Sequence, residues 1–171
     1  MKKGLVFFMG VFSLMLISQS CSITLNGSSI PPGLKTINIE FFENNAPLVV
    51  SNLSQDFTEA LKARIRSQTR LSIVRGEANA TMSGNIVNYT ITPVSVEATG
   101  SNTPPIASGS RLSITVNVKY VNDVDKKLNF EQQFTKYSDF KGDISSQEQN
   151  LIVLINRQLT EDIFNKAFAN W

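Results

Sequence analysis

The sequence predicts an α+β fold in which two helices pack on one face of a mixed, mainly antiparallel sheet of four to five strands. Residues 111–121 alternate strictly between apolar and polar side chains, which is the period of a strand with one buried face. Two other segments, 53–65 and 151–164, repeat apolar residues at spacings of three and four, as amphipathic helices do. The order strand, helix, several strands, helix favours helices gathered on one side of the sheet.

The first part of the domain is predicted to be a strand, a helix and a second strand. Alternation predicts the first strand over Lys35–Phe42, and the second follows at Leu71–Val74. Between them, Asn52 or Ser54 can cap a helix, because their side chains accept bonds from the first backbone N–H groups. The apolar face of that helix is formed by Leu53, Phe57, Ala60, Leu61 and Ile65.

A long strand with a bulge is predicted over Ala80–Val96, and Pro93 indicates that it lies at a sheet edge or is interrupted there, because proline cannot donate to a ladder. Glu97–Ser110 is rich in Pro, Gly, Ser and Thr and is predicted to be a mobile loop or a crossover. The clearest strand, Arg111–Val121, should bury Leu112, Ile114, Val116, Val118 and Tyr120. Its opposite face should carry Arg111, Ser113, Thr115, Asn117 and Lys119.

The chain is predicted to end with a hairpin and a long helix. Asn122–Lys127 provides the turn, and Leu128–Tyr137 returns as the antiparallel partner. Ile144–Phe168 forms the helix, with Ser145 or Ser146 and Glu148 or Gln149 available for capping. Its predicted apolar stripe consists of Leu151, Leu154, Ile155, Leu159, Ile163 and Phe164.

The beginning of the chain has the layout of an export signal. Lys2 and Lys3 precede a short apolar stretch, Leu5–Ile17, which is too short to span a bilayer. Small polar residues then lead to Cys21, the only cysteine in the chain. We therefore expect a signal peptide over 1–20, lipid attachment at Cys21, a lipidated tether over 21–33 and a single domain over 34–171. The alternative is an ordinary signal peptide cut nearby, which would leave Cys21 as a free thiol.

Charge and composition argue against several classes of function. Residues 1–20 hold two lysines and no acids, so removing them leaves 14 basic and 14 acidic residues of the original 16 and 14. A neutral chain gives no electrostatic case for a nucleic-acid partner. The absence of histidine and the single cysteine disfavour zinc and nucleophilic catalysis. We expect no enzyme, no metal and no cofactor.

Several long runs of residues resemble a known family. They are Ile30–Gly33, Phe42–Leu48, Leu53–Lys62, Asn129–Phe134 and, above all, Glu161–Trp171. Through them the chain resembles the LptE-type lipopolysaccharide-assembly lipoproteins in the form found in Bacteroidota. The resemblance implies an outer-membrane lipoprotein that plugs an LptD-type β-barrel and helps to deliver lipopolysaccharide to the outer leaflet.

The position of the protein in the cell can also be predicted. The resemblance and the residues after Cys21, which include no retention aspartate and no acidic export tag, place it on the periplasmic side of the outer membrane, held by its lipid anchor. The alternative is a periplasm-facing accessory lipoprotein of another outer-membrane export or uptake complex.

Six residues are candidates for contacts. Arg111 and Lys119, on the polar face of the best strand, could bind the phosphates and acids of lipopolysaccharide, although solvated side chains on an open sheet are the alternative. Thr115 and Asn117 could contact the polar interior of the barrel. Phe168 and Trp171 share a helical face with Phe164, and they form either the core or an aromatic contact for a partner.

Overall fold

The computed structural model describes residues 30–48, 50–95 and 107–169. The predicted signal peptide, Cys21 and Trp171 lie outside these described residues, as do most of the predicted tether and of the loop over 97–110. The domain predicted over 34–171 is otherwise present almost throughout.

The described residues form six strands and two helices. In chain order they are β1 (Thr36–Ile39), β2 (Glu43–Asn44), α1 (Leu53–Gln68), β3 (Ser72–Val74), β4 (Ala80–Ser95), β5 (Ala107–Asn122), β6 (Phe130–Phe140) and α2 (Glu148–Phe168). A short 3-10 turn, Lys126–Leu128, lies between β5 and β6. Among these residues, neither helix is both long and apolar enough to cross a membrane.

The strands form one mixed sheet in the order β3-β1-β4-β5-β6, with the short β2 paired to β4. The pairs that involve β1, β2 and β3 are parallel and short. The long pairs β4–β5 and β5–β6 are antiparallel. The predicted α+β class is therefore confirmed, and the strands number six rather than four or five because two-residue β2 joins the sheet.

The alternation along β5 has the predicted faces. Leu112, Ile114, Val116, Val118 and Tyr120 are all fully buried, and the polar residues between them lie on the opposite face. The predicted bulge in β4 falls between Ile86 and Asn88. Pro93 pairs with Ser110 of β5, and the described partners on the other side of β4 end at Ile86, so this proline lies where β4 is an edge.

Both helices pack on one face of the sheet, and they run parallel to each other. Near their N-terminal ends Gln149 Nε2 donates to Asp56 Oδ2 at 3.0 Å. Further along, Arg64 Nη2 donates to the Arg157 carbonyl oxygen at 3.1 Å. The C-terminal ends of α1 and α2 therefore lie at the same end of the sheet, where β1 and β4 begin. We call this end the basal end.

Several predicted boundaries are corrected by the structure. The first strand ends at Ile39 instead of Phe42, because the chain takes four residue steps from Ile39 to Glu43 while β4 takes three from Met82 to Asn85, and the pairing resumes as β2. The last helix begins at Glu148 instead of Ile144. Residues 144–147 form a turn, in which Gln147 Nε2 donates to the Lys141 and Asp143 carbonyl oxygens at 2.8 and 2.9 Å.

The predicted caps and one core position also differ. Asn52 occupies the N-cap of α1 in a left-handed conformation, and its side chain makes no capping bond. Gln147, rather than Ser145 or Ser146, occupies the N-cap of α2. Leu154 is 43% exposed, whereas its neighbour Ile152 is 1% exposed, because the helix presents Ile152 to the core.

Candidate functional site

The sheet face opposite the helices is covered by polar side chains from the three longest strands. We call it the polar sheet face. Its residues are Ser83, Asn85, Asn88, Thr90 and Thr92 of β4; Arg111, Ser113, Thr115, Asn117 and Lys119 of β5; and Glu131, Gln133, Thr135, Tyr137 and Asp139 of β6. Eleven of the fifteen carry a hydroxyl or an amide, and the two bases balance the two acids. The face is hydrophilic and close to neutral.

Arg111 is held by two neighbours on β6. Its Nε and Nη2 donate to Asp139 Oδ1 and Oδ2 at 2.7 and 3.0 Å, which is a bidentate pair. Its guanidinium carbon lies 3.8 Å from the centre of the Tyr137 ring, so the cation also stacks on an aromatic face. The predicted ligand residue is therefore already oriented, and Nη1 has no partner among the described residues.

The ion pair between Arg111 and Asp139 shifts the pKa of both groups. Hydrogen bonds from Arg111 hold the pKa of the Asp139 carboxyl below its ordinary value. The same bonds raise the pKa of Arg111. Both groups therefore stay ionised at neutral pH, and an incoming anion must compete with Asp139 for the guanidinium.

The middle of the face carries two hydrogen bonds between side chains of β5 and β6. Thr115 Oγ1 and Thr135 Oγ1 are 2.9 Å apart, across β5 and β6. Asn117 Nδ2 lies 3.4 Å from Glu131 Oε1. Thr115 is only 9% exposed, so most of what a partner would touch here belongs to its neighbours, whereas Asn117 is half-buried and accessible.

Lys119 is exposed and lies across from Ser83 on β4 and Glu131 on β6. Arg111 and Lys119 are eight residues apart on one strand, which separates their Cα atoms by about 27 Å at ~3.4 Å per residue. The two predicted ligand residues share a face, but they cannot bind the same phosphate group.

The aromatic residues at the C-terminal end of the last helix belong to the core. Phe168 is 2% exposed, with its ring centre 5.8 Å from that of Tyr120 and 5.3 Å from that of Phe164. The prediction of a partner contact through Phe168 is corrected, because a buried ring packed on two others is not available to a partner. Its core interpretation is the one that the geometry supports. Trp171 lies outside the described residues.

Sequence reasoning missed Tyr137, Asp139 and Thr135, which surround the predicted residues. The signal was the hairpin register, since Arg111 pairs with Asp139 and Thr115 pairs with Thr135 across β5 and β6. Fixing that register requires the length of the turn between the strands, which the residues alone left open. Within the described ranges, no three acidic, histidine or cysteine side chains come together as metal ligands would.

Solved structures with similar folds include several lipoproteins. The rare lipoprotein B of Shewanella oneidensis aligns at 12% identity with a TM-score of 0.53, covering 77% of this chain and 92% of that one. A protein from Xanthomonas campestris aligns at 8% identity with a TM-score of 0.53, covering 76% and 81%. A minor lipoprotein from Acinetobacter baumannii aligns at 14% identity with a TM-score of 0.49, covering 78% and 91%. At these identities the two alignments with a TM-score of 0.53 show the fold alone.

No curated protein matches the sequence. The family model described as LptE, lipopolysaccharide-assembly, matches residues 34–167, which is most of the chain and nearly all of the predicted domain. The match includes both helices except for Phe168, all six strands and the whole polar sheet face. The chain therefore belongs to the LptE family of lipopolysaccharide-assembly proteins.

Proposed function

We propose that this protein is a lipid-anchored outer-membrane lipoprotein that plugs an LptD-type β-barrel from the periplasmic side. In that position it assists the transport of lipopolysaccharide and its insertion into the outer leaflet. Family membership supports the assembly of lipopolysaccharide as the process. Cys21 is the proposed site of the anchor, and the protein acts by binding, without a catalysed reaction.

The polar sheet face is the observation that carries the plug role. The interior of a large outer-membrane barrel is polar, so a plug must offer hydroxyls, amides and balanced charges instead of an apolar patch. Eleven hydroxyl and amide side chains spread over three long strands provide this surface. The helices pack on the other side of the sheet, so the polar sheet face is free to contact the inner wall of the barrel.

Arg111 and Lys119 are the proposed contacts for lipopolysaccharide. The distance of about 27 Å between them, from ~3.4 Å per residue, means that each would meet a different anionic group. Arg111 is stacked on Tyr137 and oriented by Asp139, so little side-chain entropy is lost when a phosphate reaches its free edge. Lys119 is the more exposed of the two, and its side chain has no ion pair among the described residues.

Copurification tests the partner. The chain is tagged at its C-terminus, the outer membrane is extracted in mild detergent, and proteins that copurify in stoichiometric amounts are identified by mass spectrometry. We expect a large barrel of the LptD type. A different export or uptake barrel, with no LptD-type protein, would replace this proposal with that of an accessory lipoprotein.

A surface variant tests the face itself. Thr135→Arg places a bulky charge in the middle of the polar sheet face, where the barrel wall would lie, and should reduce the barrel recovered at least tenfold. Gln55→Arg adds the same charge on the exposed face of α1 and serves as the matched control. Equal recovery with both variants would exclude the polar sheet face as the contact.

Affinity measurements with purified lipopolysaccharide test the two cations. Arg111→Gln and Lys119→Gln should each weaken binding, by about three- to tenfold for the loss of one exposed charge–phosphate contact. Asp139→Asn should strengthen it, because the competing carboxylate is neutralised. Lys62→Gln, which breaks an ion pair with Glu59 on α1, is the control and should have no effect. Unchanged affinity in all variants would remove both residues from the site.

A further inference from the structure

Exposed basic side chains gather at the basal end of the domain. Two of them, Lys35 and Arg70, lie where the chain enters β1 and β3, and four others come from the ends of α1, β5 and α2: Arg66, Lys126, Lys127 and Lys166. Asp123 and Asp125 are acids of the same end, and so is Glu77, which is two residues before Asn79, the side chain bonded to Lys35 N. The four ion pairs found among the described residues involve none of these six bases.

The fold brings these cations together from distant parts of the sequence. The Ser72 N–H donates to the Lys35 carbonyl at 3.0 Å, which holds the starts of β1 and β3 side by side. A Cβ added at Gly33 would lie 2.9 Å from Val124 Cγ1, so the segment before β1 touches the turn after β5. At the end of α2, Lys166 Nζ lies 5.9 Å from the centre of the Phe130 ring.

A groove opens within this end, between the segment that leads into β1 and the connection from α1 to β3. Its volume is about 950 Å³, and Pro31, Leu34, Lys35, Gln68 and Arg70 are among its lining residues. It combines apolar surface with two cations and several hydroxyl and amide groups, which suits a phosphate attached to an apolar tail.

Ile30, where the described chain begins, also lines this groove. Nine residue steps separate it from Cys21, and a chain of that length reaches at most about 32 Å at ~3.6 Å per residue. If lipid is attached at Cys21, the basal end is held within that distance of the bilayer surface. The far end of the sheet has no such restraint.

We propose that the basal end docks on the anionic phospholipid headgroups of the membrane that holds the protein. This inference rests on the proposed lipid attachment. Charge complementarity carries it, because six exposed cations and only three acids lie at the end where the tether arrives. Elsewhere on the helices, Lys62 and Arg64 are neutralised by Glu59 and Glu161. The basal end thus sets the tilt of the domain on the membrane.

The expected strength follows from the number of charges. A cation near an anionic bilayer contributes about a fivefold increase in surface association, and the effect falls off within a Debye length of about 10 Å in 0.1 M salt. Removing three of the six should weaken docking by about two orders of magnitude. Docking should also weaken steeply as salt is raised.

Hydrogen exchange in nanodiscs tests the proposal. The lipoprotein is purified from membranes and placed in nanodiscs of phosphatidylethanolamine, with or without 30% phosphatidylglycerol. We expect slower amide exchange at 30–35, 67–72 and 123–129 only in the anionic nanodiscs, and loss of this protection in 0.5 M salt. Replacing Lys35, Lys126 and Lys127 with Gln should abolish it. The matched control replaces Lys62, Lys141 and Arg157 with Gln: Lys62 lies six residues before the end of α1, Lys141 follows the far end of β6, and Arg157 lies in the middle of α2.

Each remaining outcome overturns the proposal in a recognisable way. Protein that stays with the nanodiscs but exchanges equally in both lipids overturns basal docking alone, and leaves the plug role to the copurification test. Protein absent from both nanodisc fractions overturns the docking together with the lipid anchor. Protection that appears only when lipopolysaccharide is added assigns the surface to lipopolysaccharide instead. Circular dichroism of both triple variants shows whether they are folded.

Discussion

Gly84 is the position in β4 where a side chain has least room. A Cβ built there would overlap the carbonyl oxygen of Asn117 and lie 2.7 Å from Cε1 of the Phe42 ring. One of these neighbours is backbone and the other is a fully buried ring packed on Phe57, so neither can move easily. Gly84→Ala should lower the free energy of unfolding by about 2–4 kcal/mol, measured by urea denaturation.

Gly76 provides the control for that prediction. It has a φ of +86° in the turn after β3, but a Cβ there would meet nothing within 4 Å. Gly76→Ala should therefore cost only about 1 kcal/mol, from backbone strain. Equal losses at the two sites would contradict the view that crowding, rather than backbone conformation, makes Gly84 necessary.

Asn79 ties the start of β1 to the start of β4. Its Oδ1 accepts bonds from Lys35 N, Thr36 N and Thr36 Oγ1, each at 3.1 Å. Asn79→Ala should destabilise the fold by about 2 kcal/mol, because these donors lose their shared acceptor. Asn79→Asp keeps an acceptor oxygen in place and should recover more than half of the loss in the same urea titration. A full loss with Asp would mean that the amide NH₂ is the important group.

Single residues of the polar sheet face differ in how well the sequence predicts them. Alternation alone placed Arg111, Thr115 and Asn117 on the polar face, because the side-chain period of a strand is fixed at two. It did not find the bidentate bond to Asp139, which lies 28 residues further along the chain. Nor did it find that Thr115 is 9% exposed, since that burial is produced by neighbours on other strands.

At the scale of elements, β6 is the described strand that ends the sheet order on one side, and its outer edge is eleven residues long. Long regular edges invite pairing with another chain, and an inward-pointing charge is one protection against it. Lys136 provides that charge. It pairs with buried Ile114, and its Nζ lies 2.8 Å from Asp162 Oδ2 on α2.

Lys136→Val should therefore increase self-association. The free energy of unfolding should change by less than about 1 kcal/mol, because a partly exposed ion pair contributes little. Sedimentation velocity at rising concentrations should show dimers or larger species of the variant. Lys141→Val removes a charge just beyond the ladder and should leave the protein as monomeric as the parent. Monomeric Lys136→Val protein would exclude this role.

Elements were predicted best where the pattern was long. β5 extends through all of its predicted residues, whereas β1 was predicted twice as long as it is. Phe41 and Phe42 are both apolar, but Phe41 is 58% exposed and Phe42 is fully buried, so alternation fails where the chain shifts from β1 to β2. Likewise, Ile144 marks a turn whose partners are backbone carbonyls, and hydrophobic spacing does not report such bonds.

At the scale of the whole molecule, buried tyrosines link stability to pH. Burial raises the pKa of Tyr120 to about 12, with an opposing hydrogen bond from Asn122. Burial, and then the bond to Glu148, also raises the pKa of Tyr89. In the unfolded chain both hydroxyls ionise near pH 10, so the unfolded state loses protons first and the free energy of unfolding falls as pH rises from about 10 to 12.

Urea titrations at pH 9, 10 and 11 should record this fall, on the order of 2 kcal/mol for Tyr120 once pH approaches its folded pKa. Tyr120→Phe should flatten the profile relative to the parent, and the difference between the two curves isolates Tyr120 from lysine titration. Parallel curves would show that Tyr120 ionises as freely in the folded protein as in the unfolded chain.

The topology could not be predicted from the sequence. Local patterns identified the order of strands and helices, and the short turn over Asn122–Lys127 implied that β5 and β6 are antiparallel neighbours. Placing β1 between β3 and β4 depends on parallel pairs that join residues more than thirty positions apart, such as Ile37 with Ile73 and with Ala80. Such contacts leave no periodic trace in either segment.

The length of β4 has a consequence for the height of the molecule. Its fifteen residue steps from Ala80 to Ser95 extend up to about 51 Å at ~3.4 Å per residue. A bilayer with its headgroups is about 40–45 Å thick, and the apolar band of a barrel is about 25 Å tall. If the basal end rests on the inner leaflet and the sheet stands inside a barrel, the paired strands β4 and β5, bulges included, reach the level of the outer leaflet. A single pair of strands would then extend along the whole distance that lipopolysaccharide travels across the outer membrane.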